Sequence, residues 1–115
     1  MGACTFGNIQ VGRFKNHNEA YRQACAEAED YYGHQEGYNG TISTTYGSKL
    51  MTKAPRYDTK AFWDWEDKRL VNILDKCECE CVEIKGVRLL ELKKKYGFSG
   101  KRGIKAYYFY GWARE

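Results

Sequence analysis

Five of the 115 residues are cysteines, and three of them, Cys77, Cys79 and Cys81, form a Cys-x-Cys-x-Cys run. Alternate residues of a strand share a face, so this spacing points three thiols the same way. Zinc takes thiolates at ~2.3 Å in a tetrahedron. Neighbours in the run stand ~6.7 Å apart along a straight strand, a gap that side chains close. Cys77 and Cys81 stand ~13 Å apart and share one ion only if the strand bends. Among outside ligands His34 is favoured, since it lies in a tight Gly-rich loop after a helix. Cys4 is next, while His17 falls in the first turn of a helix and reads as exposed. The expected set is His34, Cys77, Cys79 and Cys81 around a structural zinc. Two other uses of the run stay open: small apolar core residues and redox chemistry.

Nucleophilic catalysis has less behind it. A Cys–His pair needs a thiol beside a base, and Cys25 or Cys81 with His34 are the pairs the chain offers. No local signature surrounds them. Phosphate-loop and His-Glu-x-x-His patterns are absent from the sequence. The expectation is a protein that is not an enzyme.

Charge supplies the second signal. The formal net charge is +4, with 19 Lys and Arg against 15 Asp and Glu. It is unevenly spread. Residues 16–36 carry Glu19, Glu27, Glu29, Asp30 and Glu36 against Arg22. Residues 85–105 carry Lys85, Arg88, Lys93, Lys94, Lys95, Lys101, Arg102 and Lys105 against Glu91. The acids at Glu19, Glu27 and Asp30 suit a basic groove on another protein. The bases at Lys94 and Lys95, followed by an aromatic strand, suit phosphate and base contacts with nucleic acid. Both segments also read as solvated faces.

These residues must be held by elements. A strand is expected at 5–14. A helix follows at 16–32, with Asn16 as N-cap, Glu19 completing a capping box, and Ala20, Ala24 and Ala28 on its buried stripe. A loop covers 34–40 and a β-branched strand 41–45. Residues 49–57 contain the single Pro and read as irregular. A second helix runs from Asp58 or Thr59 to about Asp75. Strict alternation predicts a strand at 77–84, with Cys77, Cys79, Cys81 and Glu83 on one face and Glu78, Glu80, Val82 and Ile84 on the other. Residues 87–96 read as a short helix or a hairpin arm, and 104–112 as an aromatic strand. Short strands and Gly-rich loops favour an α+β fold, a small antiparallel sheet with two or three helices, as a single domain over 1–115.

Aromatics make up 16% of the chain, which excludes a disordered polymer, and no apolar run approaches the ~20 residues of a membrane span. The start, MGACTFGNIQVGRF, lacks a long apolar stretch, so no secretory signal is expected. The odd cysteine count argues against a disulfide framework. The expected compartment is the cytoplasm.

The segments Tyr32-Gly33-His34 and Tyr38-Asn39-Gly40-Thr41-Ile42-Ser43-Thr44-Thr45, the strand Cys81-Val82-Glu83-Ile84 and the ending Phe109-Tyr110-Gly111-Trp112-Ala113 resemble a group of small phage- and prophage-encoded proteins. The size and these motifs, with the zinc reading, also resemble the type II-A anti-CRISPR class. That resemblance implies a stoichiometric Cas9 inhibitor that occupies the recognition lobe or a nucleic-acid channel and blocks DNA loading or cleavage. The alternative is a nucleic-acid-binding phage accessory protein.

Overall fold

The computed structural model describes residues 3–32 and 42–114. Along them lie strand β1 (Ala3–Gly12), helix α1 (His17–Tyr32), a 3-10 turn (Ile42–Thr44), strand β2 (Lys49–Leu50), helix α2 (Lys60–Asn72), strand β3 (Cys79–Ile84), helix α3 (Val87–Lys95) and strand β4 (Lys105–Arg114). The fold is α+β. Its sheet has the order β1-β4-β3-β2. The expected loop at 34–40, His34 included, lies outside the described residues.

Two departures from the expected elements have local causes. The sheet is mixed where an antiparallel one was expected: β4 is antiparallel to both β1 and β3, but β2 runs parallel to β3. Helix α2 links β2 to β3, and a crossover helix delivers the next strand in the same direction. The β-branched segment after Thr41 forms a 3-10 turn in place of a strand. Thr45 donates from both its N–H and its hydroxyl to the Ile42 carbonyl, at 3.0 and 2.7 Å. Tyr21 then donates to the Thr45 carbonyl at 3.1 Å. Local hydroxyl bonds have replaced the ladder.

Both expected caps form. Asn16 Oδ1 accepts from the N–H groups of Asn18 and Glu19, and Glu19 Oε1 accepts from the Lys15 N–H at 2.7 Å. Thr59 caps α2 by accepting from the Phe62 N–H. Residues 87–95 form a helix, so the hairpin alternative falls away.

Alternation along β3 and β4 builds two cores, one on each face of the sheet. Toward α1 point Cys79, Cys81, Tyr107 and Phe109, packed with Ala20, Ala24, Ala28 and Ile42. Toward α2 and α3 point Val82, Ile84, Tyr108 and Tyr110, packed with Phe62, Trp65, Leu70, Leu89 and Leu92. Small alanines of α1 pack on one face, while stacked rings fill the other. Phe62 meets Tyr108 edge-on at 5.9 Å and Trp65 meets Tyr110 at 5.8 Å.

Two carboxylates are folded into the ring-rich layer. Glu80, 3% exposed, accepts from Arg69 of α2 through both oxygens and from the Tyr110 hydroxyl. Glu66 of α2 accepts from the Tyr108 hydroxyl. Trp112 adds a third tie, donating from its indole N–H to the Leu70 carbonyl at 2.8 Å. Gly111 is required by this packing, because a Cβ there would collide with the Glu78 carbonyl.

Burial raises the Glu66 carboxyl above its ordinary value, and the Tyr108 hydrogen bond only partly opposes that. A raised carboxyl holds its proton more tightly folded than unfolded. The stability it supplies is complete below the unfolded pKa and is lost as pH rises through the folded one. Glu66→Gln keeps an acceptor for Tyr108 without the charge. The variant should melt at a higher temperature than wild type at neutral pH, and the gap should close below the carboxylate range. Thermal unfolding followed by circular dichroism across that range checks this.

Candidate functional site

The structure separates the three thiols of the cysteine run. Cys79 and Cys81, 5% and 0% exposed, lie side by side on β3 under α1. Cys77 precedes the strand in a left-handed turn, with φ 71°. Its carbonyl accepts from the Tyr46 N–H and its own N–H donates to the Trp112 carbonyl. The strand therefore begins at Cys79, two residues later than alternation in the sequence predicts. None of the five cysteines is joined in a disulfide.

The surroundings of the strand thiols are apolar. Burial pushes Cys81 up to about 12 and pushes Cys79 higher still. Cys25, on the α1 side of the same layer, is also raised by burial. A zinc ligand must be a thiolate. This layer favours the opposite form. Among the described residues no group of three or more His, Cys, Asp or Glu side chains converges as a metal set. His34, the expected fourth ligand, lies outside those residues. His17 sits half-buried in the first turn of α1.

The acidic residues divide. Glu27 and Asp30 are exposed on α1, opposite the buried Ala20, Ala24 and Ala28. Glu19 is tied into the helix cap through the Lys15 N–H. That bond gives it a structural role before any partner is considered.

The basic residues converge. Gly12, the last residue of β1, pairs with Lys105, the first of β4, so Arg13 and Lys15 emerge beside the start of β4. Lys105 donates from Nζ to the Lys15 carbonyl at 3.3 Å. The C-terminal turn of α3 supplies Lys93, Lys94 and Lys95. Lys93 donates from Nζ to the Lys101 carbonyl at 2.7 Å, which fastens the loop carrying Lys101 and Arg102 to the helix. Eight cations thus lie on stretches of chain joined by two contacts, Arg13 and Lys15 beside Lys105 at the start of β4, and Lys93, Lys94 and Lys95 beside the loop of Lys101 and Arg102 that leads into β4. Among the described residues, the ion pairs of Arg and Lys are those of Arg69 with Glu80 and of Arg88 with Asp58 and Glu91; none engages these eight.

Rings stand among the cations. Tyr96, the C-cap of α3, is 47% exposed, and Lys95 Nζ lies 5.8 Å from its centroid. Lys101 Nζ lies 6.0 Å from the Phe98 ring, which also packs against the core below α3. The sequence pattern points to β4 for the aromatic partners. The structure buries Tyr107, Tyr108, Phe109 and Tyr110, and offers Tyr96 instead. The signal for it is an aromatic directly after three lysines at a helix end.

A groove of about 840 Å³ opens between the β2–α2 connection and the start of α3. Met51, Pro55, Tyr57 and Val87 line it with Arg56, Lys85 and Arg88. Arg88 is occupied by Asp58 and Glu91. The lining contains no Cys, His or Ser that would make a nucleophile–base pair.

No helix among the described residues is long and apolar enough to cross a membrane. No family model matches the sequence, and comparison with curated proteins and with solved structures returns no match.

Proposed function

We propose that this chain is a binding protein that acts without turnover, and that its basic end binds nucleic acid, single strands in preference to duplex. The observation that carries the reading is the group of eight cations, on four different stretches of chain, whose side-chain charges make no ion pair among the described residues. Phosphates repel one another as these cations do, and joining the two releases counterions. Exposed Tyr96 adds a flat apolar face, and bases stack on such faces only when a strand is unpaired.

Binding should weaken steeply with salt. Reversing Lys94 and Lys95 to Glu should flatten the salt slope by about 0.7 for each single-strand phosphate that these lysines neutralise. Tyr96→Ala should cost single-stranded affinity about 10-fold, from ~1–3 kcal/mol of stacking, and leave duplex affinity unchanged. Fluorescence anisotropy with labelled oligonucleotides over a range of salt measures all three. Affinity indifferent to salt and to Lys94 and Lys95 sinks this reading.

A second reading, Cas9 inhibition, rests on the resemblance to anti-CRISPR proteins and on exposed Glu27 and Asp30. Cas9 holds its RNA–DNA hybrid in a positively charged channel, where an acidic helix face competes. Inhibition should saturate near equimolar, weaken with salt, and be relieved by reversing Glu27 and Asp30. A cleavage assay titrated with inhibitor checks this, and complete inhibition at a small fraction of one inhibitor per Cas9 argues for catalysis instead.

Structural zinc on His34, Cys77, Cys79 and Cys81 is a separate proposal. Its support is the sequence spacing, and it requires Cys77 to move and the strand thiols to lose their protons. Metal analysis of untagged protein should then find about one zinc per chain, released by the Cys79→Ser, Cys81→Ser double variant and retained by Cys25→Ser. A metal-free protein whose Cys79 and Cys81 resist thiol reagents until unfolded assigns them to the core.

A further inference from the structure

Strand β1 is an edge of the sheet among the described residues, and its own sequence carries no charge, proline or bulge of the kind that keeps edges from pairing. Its ten residues pair one-to-one with β4 from Ala3↔Arg114 to Gly12↔Lys105, with no bulge. None of Ala3, Cys4, Thr5, Phe6, Gly7, Asn8, Ile9, Gln10, Val11 and Gly12 is charged, and none is Pro. Edges that stay single are normally shortened, bent or charged. The opposite edge, β2, follows that rule with two residues, one of them Lys49. No described strand covers the outer side of β1.

The direction of its free main-chain groups follows from the ladder. The Met51 N–H donates to the Cys81 carbonyl at 2.8 Å, so Cys81 faces β2 and its neighbours Glu80 and Val82 face β4. Their partners Tyr110 and Tyr108 face back, which leaves Phe109 facing Asn8 of β1. Thr5, Gly7 and Ile9 therefore turn their N–H and C=O groups outward. Ala3, Thr5 and Gly7 are also exposed to solvent.

We propose that β1 pairs antiparallel with β1 of a second copy, about a two-fold axis at Gly7, and continues the sheet through the dimer. Three features select a second copy over a foreign strand. The outward groups match themselves in this register: Thr5 faces Ile9, Gly7 faces Gly7, and Ala3 faces Val11, giving about ten main-chain hydrogen bonds. Across the axis Thr5 meets Ile9, Phe6 meets Asn8 and Cys4 meets Gln10, with no like charges opposed. Arg13, the first cation beyond the strand, lies ~20 Å from the axis, so the Arg13 ends of the two copies stand ~40 Å apart, far beyond the ~8 Å screening length. A charged peptide finds no complementary charge along these ten positions.

Sedimentation equilibrium, run over a range of concentrations, should give twice the 13.4 kDa chain mass. Thr5→Pro removes an outward donor without touching a bond to β4, and should weaken the dimer by at least about 100-fold. Thr5→Lys, which restores a normal edge charge, should do the same where the proline variant fails to fold. Circular dichroism confirms that each variant keeps its fold. Hydrogen exchange on the wild type should protect the outward amides of Thr5, Gly7 and Ile9. A monomer at every concentration overturns the proposal. So does a dimer that persists in folded Thr5→Lys with those amides exchanging freely, or assembly that continues past two.

Discussion

The ion pair between Arg69 and Glu80 is the constraint on which the architecture turns. Glu80 lies within β3 and is 3% exposed. A carboxylate so placed must be paired and hydrogen-bonded, or its desolvation goes uncompensated. Arg69 reaches it from α2 with two donors, and Tyr110 of β4 gives a third. One carboxylate thus joins a helix and two adjacent strands. Buried pairs of this kind gain little net stability against apolar substitutes, yet losing one partner costs ~3–5 kcal/mol. What the pair supplies is selection among packings. Rings slide over rings with small energy differences, whereas a bidentate guanidinium–carboxylate pair holds in one geometry. It sets the rotation of α2, and so decides that Phe62 and Trp65 turn toward the sheet while Trp63 stays 37% exposed.

Strand β4 sits at the crossing point of that constraint. It pairs on both sides and faces a helical layer on both surfaces, so Tyr107 and Phe109 serve one core while Tyr108 and Tyr110 serve the other. Its tyrosine hydroxyls cannot all be left dry. Tyr108 and Tyr110 end on Glu66 and Glu80, and burial pushes both phenols well above their ordinary range. Acids on α2 and β3 and phenols on β4 are therefore one design: each acid supplies the acceptor that makes a buried phenol tolerable.

Much of this is written in local patterns. Asn16 with Glu19, the alanine stripe, Thr59 as a cap and the alternation from Cys79 to Ile84 each need only near neighbours, and each reappears in the fold. The faces of β3 are legible too, with Glu80 beside Val82 and Ile84. Its burial is not, because nothing near Glu80 in sequence announces an arginine eleven positions earlier or a tyrosine thirty positions later. The parallel β2 is hidden for a similar reason: two residues carry no periodicity, and only the crossover of α2 places them. Cys77 fails as a strand residue because its left-handed φ comes from a turn closed by Trp112 and Tyr46, both distant in sequence.

The charge asymmetry seen in sequence is real, but only its basic half becomes a surface with a shape. Gathering eight cations at one end of a small domain raises the free energy of the folded state through mutual repulsion. The architecture does not demand them there. The charges tied into the core are buried Glu80 and half-buried Arg69 and Glu66, and they lie elsewhere. Lys93, Lys94 and Lys95 sit in the last turn of α3, where positive charge complements the helix dipole, and the others lie at strand ends and in a Gly-rich loop. Two of them spend a hydrogen bond on holding neighbouring backbone, Lys93 on Lys101 and Lys105 on Lys15, which keeps the cluster together instead of letting it splay.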